Sequence, residues 1–297
     1  MHNKLSRRKM IANTAKFALG STLLMNSHLS AFGKSSENKS RVILVRNQGL
    51  LNEAGLIDGK ILEKMLDEAV VKLTNSASTT EAWKQIIKPD DVVGIKSNHW
   101  NSLPTPRELE SILKAKVIQA GVGENNVSSD DQGVLRNPVF KRATALINAR
   151  PSRTHAWSGV GSLLKNYIMF SPHPASYHDD SCADLARLWE LPEVKGKTRL
   201  NILIMITPLF HGVGSHHFSK EFTWPYQGIL VGFDPVAVDA IGVKILQAKR
   251  KEYFKEDRPL NPPAKHVFLA DTRHHLGTAD FSRIELVKSG WGEGILV

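Results

Sequence analysis

The segment from residue 91 to residue 133 restricts the fold more than any other. "DVVGIKSN" (91–98) is a short apolar run of the kind that forms a strand. Further on, "TPRE" (105–108) places Thr105 at a helix N-cap, Pro106 at the first helical position and Glu108 at the third, a capping box with its favoured proline. The helix is expected to run to about Ala120, with Gly121 as its C-terminal cap. "NVSSDDQG" (126–133) follows as a short strand entering an acidic, glycine-ended loop. Strand, helix and strand of these lengths make a βαβ unit, and such units build parallel sheets. The expectation is an α/β fold: a mainly parallel sheet with flanking helices, built from βαβ units.

The remaining chain fits that scheme. "RVILVR" (41–46), "ALINAR" (145–150), "GILVGF" (228–233) and "SRIELVKSG" (282–290) read as strands, and "LNILIMITPLF" (200–210), the most apolar run, reads as a central one. Residues 57–74 carry Ile61, Leu62, Met65, Leu66, Ala69 and Val70 at helical spacing. Asp234 caps a helix that starts at Pro235 and ends in a basic turn suited to the helix dipole. Residues 171–182 and 256–265 read as loops. No repeat and no linker-like break appears after residue 40, which predicts a single α/β domain over 41–297.

The N-terminus has a different character. Residues 1–31 have a basic head, a modestly apolar run from Met10 to Met25, and small residues at Ser30 and Ala31. This is the layout of a secretory signal, and the run is too short and too polar for a spanning helix. Arg7 and Arg8 after Ser6, with Lys16 inside the weakly apolar run, resemble the twin-arginine export motif. The expectation is a twin-arginine-type signal over 1–31, a polar linker over 32–40, and a periplasmic or otherwise exported protein. Its partners would be the twin-arginine export machinery and a small anionic molecule, with no stable membrane span after processing.

That segment also explains much of the charge. The formal net charge is +10, from 39 basic and 29 acidic residues. Residues 1–31 hold five of the basic residues and no acids, so 34 remain against 29. The excess is mild and forms no dense block, which argues against nucleic acid as a partner. The one cysteine, Cys182, excludes an internal disulfide and any iron–sulfur cluster held by this chain's own cysteines. It reads as an inert, half-buried thiol.

Ligands of open parallel sheets bind beyond the carboxyl ends of the strands. Four places qualify. After 91–98 come Lys96, Asn98, His99, Trp100 and Asn101, a candidate carboxylate or phosphate pocket beside a helix N-terminus. Asp130 and Asp131 follow the next strand, where they could hold a hard metal, act as a base, or serve only the turn. Arg153, Thr154 and His155 follow 145–150. If 158–169 is helical, its glycines let a ligand approach, and Lys165 and Asn166 lie two turns in with an apolar face beside them. Finally, six of the twelve histidines fall between 155 and 217: His155, His173, His178, His211, His216 and His217. Histidine is the usual acid–base group near neutral pH and a common metal ligand, although no tight zinc spacing is present.

"INARPSRTHAWSGVGSLLKN" resembles the signature of the domain-of-unknown-function 362 family. "DVVGIKSN", "GILVGFDPVAVDAIG" and "LGTADFSRIELV" resemble other segments of that family in the same order. The motif positions fall on Lys96, Asn98, Thr154, His155, Gly159, Lys165, Asn166, Asp234, Pro235 and Asp239. Arg153 stands where the family usually has lysine. Ile204 and Met205 stand where an acid is often found in the central strand. "TPRELESILKAKVIQAGVGENNV" is similar to a strand–helix–strand of the lactate racemase family, and the His155–Lys165 spacing of ten is similar to the histidine and lysine that attend its nickel-pincer cofactor.

These observations lead to an exported enzyme, an isomerase or oxidoreductase, acting on a small anionic hydroxy- or keto-type substrate with a metal or a nickel-type organometallic cofactor. His155, Lys165 and His99 are the candidate catalytic residues. Arg153, Thr154, Asn166, Lys96 and Asn98 are the candidates for holding cofactor or substrate, and His155, His173 and His178 for a metal. The alternative is a non-catalytic periplasmic binding protein for an anionic ligand or a metal.

Overall fold

The computed structural model describes residues 39–212 and 218–297. The signal, most of the linker, His216 and His217 lie outside the described residues. The strands are β1 (Ser40–Arg46), β2 (Val93–Lys96), β3 (Val127–Asp130), β4 (Ala145–His155), β5 (Gly159–Gly161), β6 (Thr198–Leu209), β7 (Gly228–Gly232) and β8 (Ile284–Gly290). The longer helices are α1 (Gly59–Thr74), α2 (Thr79–Ile86), α3 (Arg107–Gln119), α4 (Pro235–Phe254) and α5 (Lys265–Thr272). The sheet order is β3-β2-β4-β6-β7-β1-β8, with β5 paired to the end of β4. Most pairings are parallel, as the βαβ reading requires. The exceptions are β7, antiparallel to both β6 and β1, and β5, antiparallel to β4.

Two apolar layers cover the sheet. Ile43, Ile95, Ile147, Ile202 and Ile204 face α1, α2 and α3. Leu44, Leu146, Leu203 and Met205 face α4, α5 and the short turns between residues 138 and 190. Both faces of β6 are therefore buried, which is why its sequence shows no polar alternation. The polar side chains that do appear on β2, β4 and β6 stand out against this background.

Three local expectations need correction. Thr105 does not cap α3: the helix starts at Arg107 with no side-chain cap. The Thr105 hydroxyl instead accepts from the Asn98 N–H at 2.9 Å and donates to the Ala149 carbonyl at 3.1 Å, tying the exit of β2 to β4. The strand from residue 145 does not stop at 150. It continues to His155, so Arg153, Thr154 and His155 belong to it, and β5 folds back to pair Arg153 with Gly161 and His155 with Gly159. Consequently 158–169 is not one helix. It comprises β5, a single helical turn (Leu163–Asn166) and a 3-10 turn (Tyr167–Phe170). The Asp234 cap of α4 is present, with the carboxylate accepting from Val236 and Ala237.

β2 and β4 are neighbours, but the chain leaves them in opposite directions. From β2 it crosses through α3 to β3, and from β4 it crosses the other face to β6. A crevice outside the carboxyl ends of such a strand pair is the usual ligand position in open α/β sheets.

Candidate functional site

A cavity of about 110 Å³ lies at that crevice, lined by Asn98 and Trp100 after β2, by Asp131 after β3, by Arg150, Arg153 and His155 of β4, and by Trp157, Lys165, Asn166 and His178. Strand alternation explains much of it. Leu146 faces the α4 layer, and Asn148 and Arg150 follow it at two-residue steps. Lys96 projects to the same face from β2, in register with Asn148.

Most of the charge around this cavity is buried. The Lys96 ammonium donates to Asp131 Oδ1 at 2.5 Å, to the Ser97 carbonyl at 2.7 Å and to Asn166 Oδ1 at 3.4 Å. Burial pulls Lys96 down to about 8 against the attraction of Asp131. Burial pushes Asp131 up, but the Lys96 charge and the His99 backbone N–H, at 2.8 Å from Oδ2, outweigh it and hold the carboxyl below its usual range. Asn166 donates to Asn148 Oδ1 at 2.8 Å and to the Lys96 carbonyl at 3.0 Å, which fixes the Lys165–Asn166 turn on the sheet. The turn is also held from behind. Asp239 of α4 accepts from Ser162 Oγ at 2.6 Å and from the N–H groups of Leu163 and Leu164 at 3.0 and 2.9 Å. Burial raises Asp239 to about 6 despite these bonds.

The other three cations are less well provided for. Arg153 donates to Asn98 Oδ1 at 2.7 Å and to the Leu103 carbonyl at 3.1 Å, while its Nε has no partner. Lys165 has one hydrogen-bond partner among the described residues, Cys182 Sγ at 3.4 Å, and burial together with the Arg150 charge brings it to about 8. Cys182 is fully buried, and burial raises its thiol. Arg150 makes no hydrogen bond to the described residues, and its Nε is sealed from solvent. Burial, joined by the Arg153 charge, lowers it to about 9, which leaves it a cation at neutral pH. Its guanidinium occupies the space a side chain at 161 would need, for a Cβ there would lie 3.0 Å from Arg150 Nη2. Glycine at 161 thus makes room for the arginine.

The histidines respond to this positive field. Burial, then the charges of Lys165, Arg150 and Arg153, drive His155 down to about 2, so its ring is neutral. Its Nδ1 accepts the Trp157 N–H at 3.2 Å, which leaves the ring proton on Nε2 as a donor. His178 stacks against Trp157 at 4.3 Å, and burial and Lys165 lower it as well. His266 of α5 is fully buried with neither nitrogen bonded, and burial and Lys165 bring it to about 3.

The structure brings together Lys96, Asn98, Arg153, His155, Lys165, Asn166 and His178. It separates three candidates from them. The His99 ring lies in a different, larger cavity of about 730 Å³ on the α3 face, with Nε2 2.8 Å from Glu110 Oε1, because the chain after β2 turns alternate residues to opposite sides. Thr154 is buried with its hydroxyl unbonded and does not line the small cavity, since it alternates with Arg153 and His155 on the strand. His173 is exposed and stands outside the cavity. Asp130 serves its turn, accepting from Gly133 N–H and Asn137. His211 is likewise remote, 3.1 Å from Arg250. Among the described residues no three His, Cys, Asp or Glu side chains converge to hold a metal ion. The small cavity's surplus of cations, with its one lining carboxylate already paired, does not suit a bare metal cation.

Residues 125–244 match the family described as Domain of unknown function (DUF362). The DUF362 match runs from the start of β3 into α4. It holds Asp131, Arg150, Arg153, His155, Lys165, Asn166, His178 and Asp239, whereas Lys96, Asn98 and Trp100 precede it. No curated protein matches the chain, and no solved structure does. Among the described residues no helix is long and apolar enough to cross a membrane.

The residue missed by sequence reading is Arg150. It was legible only as the last letter of a strand. The available signal was its two-residue spacing from Asn148 in the otherwise apolar stretch 145–150.

Proposed function

We propose that this chain is an enzyme that binds a small anionic hydroxy or keto acid in the cavity between β2 and β4 and moves a proton on it with Lys165. The observation that supports this most is a buried amine brought to about 8 beside a guanidinium, Arg150, with no hydrogen-bond partner among the described residues. With that value roughly a tenth of Lys165 is a free base at pH 7, enough to accept a proton, and its conjugate acid can return one. Arg150 and Arg153 would hold the substrate's acidic group and stabilise negative charge developing on its oxygens as the proton leaves carbon. His155, neutral with Nε2–H as donor, would hold a second oxygen. Asn166 and Asp239 keep the lysine turn in place. An organometallic cofactor of nucleotide size exceeds a cavity of about 110 Å³, so no step is assigned to one.

The test is solvent exchange at carbon. Two- to four-carbon hydroxy and keto acids are incubated with the full chain in heavy water, and loss of the α-proton signal is followed by NMR. Exchange is expected for at least one acid, at a rate cut about 10²–10⁴-fold by Lys165→Met. Binding without exchange for any acid would favour a non-catalytic binding protein. We also propose that the chain is exported by the twin-arginine route, on the strength of Arg7, Arg8 and Lys16 in the N-terminal segment. Replacing Arg7 and Arg8 together by lysine should leave the protein in the cytoplasm of its host, and unchanged export would refute the route.

A further inference from the structure

We infer that the ligand of the small cavity is a dianion without an ammonium group, a three- or four-carbon dicarboxylate or a phosphate, seated on Arg150. This rests on the reading of the cavity as a small-anion site and narrows it.

The first argument is charge. Four buried cations surround the site, Lys96, Arg150, Arg153 and Lys165, against two buried carboxylates, Asp131 and Asp239. Asp131 is committed to Lys96, and Asp239 to the Leu163–Asn166 turn. The partly buried Asp130 is held by Gly133 and Asn137. Two positive charges are left over, and burying them without partners is costly. A doubly charged ligand offsets both, whereas a monoanion leaves one.

The second argument is hydrogen bonding. A guanidinium carries five N–H donors in a planar fork, and Arg150 spends none on the described residues. Arg153 Nε and two of the three Lys165 protons are also unspent. These are donors only, and His155 adds another at Nε2. The ligand must therefore present acceptors. Of the side chains lining the cavity only Asp131 is a carboxylate, and its two oxygens are taken by Lys96 and by the His99 N–H. Asp131 is already paired with Lys96, and an added ammonium would sit among four buried cations, so amino acids are disfavoured.

The third argument is size. About 110 Å³, well below the roughly 300–1,000 Å³ of sites for drug-sized ligands, suits a phosphate or a short diacid.

The test is calorimetric titration of the full chain at pH 7 and constant ionic strength with malonate, inorganic phosphate, acetate and aspartate. Malonate or phosphate is expected to bind at least about tenfold more tightly than acetate, and aspartate no more tightly than acetate. A preference for phosphate identifies a phosphoryl ligand, and a preference for malonate a dicarboxylate; either supports the inference. Arg150→Met should abolish the preference while leaving the melting temperature of the ligand-free protein unchanged or higher, and Arg150→Lys should restore part of the binding. Equal affinity for acetate and the dianions would overturn the dianion and leave the small-anion reading standing. Absence of binding by all four would overturn both. A melting temperature that falls with Arg150→Met would make the arginine a structural residue and overturn its assignment.

Discussion

The two cavities at the carboxyl edge of the sheet differ in a way that size does not convey. The larger, about 730 Å³, lies on the α3 face between apolar side chains such as Ile204 and Ile206 and a rim where His99 meets Glu110. Its charged rim is partly exposed and paired. The smaller, about 110 Å³, is lined by buried cations, one of which has no hydrogen-bond partner among the described residues. Burying Arg150 with no hydrogen-bond partner among the described residues costs stability, and the proposed anion would offset that cost.

Substitutions can break or sharpen this contrast. The largest loss of stability is expected where a buried charge already has its partner. Lys96→Met leaves Asp131 buried and uncompensated and should cost about 3–5 kcal/mol in denaturant unfolding. Asp239→Asn should cost about 2–3 kcal/mol, because the amide cannot accept all three bonds to Ser162, Leu163 and Leu164. It should also weaken anion binding by loosening the Lys165 turn. A separate effect is expected from pH. Lys165 has a folded value of about 8 against an ordinary 10.5, so between these limits the unfolded chain holds the proton that the folded chain has lost. Stability contributed by this group must rise with pH from about 8 to 10.5, and anion affinity must fall as pH passes 8. The groups facing Lys165 are Arg150, His155, His178, Cys182 and His266. Lys96 titrates in the same window, so Lys165→Met should remove part of the rise and not all of it. The smallest effect belongs to the large cavity: His99→Ala should cost less than about 1 kcal/mol and leave anion binding unchanged.

The contrast also explains how far the sequence could be read. Strands and long helices were legible because their patterns are local: the apolar run of β6, the spacing of α1, the Asp234–Pro235 start of α4. Short α2 and α5 were not singled out. The Thr105 cap failed because its hydroxyl found partners across the sheet, in Asn98 and Ala149, which no local pattern reveals. A helix over 158–169 would put Lys165 and Asn166 two turns in, but they sit on one turn fixed by Asp239, 73 or more residues away in sequence. His99 and Arg150 show the limit most clearly. Whether a residue beyond a strand end faces one cavity or the other depends on alternation in an irregular segment, and whether a buried arginine is paired depends on the whole fold.

The central claim is that the small cavity, and not the large one, holds the anion. Diffraction from crystals of the full chain grown or soaked in malonate at pH 7 tests it directly. The account predicts malonate within hydrogen-bond distance of the Arg150 guanidinium, with a carboxylate also in reach of Arg153 or Lys165, and none at the His99–Glu110 rim. Malonate seated at that rim, with the Arg150 cavity holding only water, would contradict it.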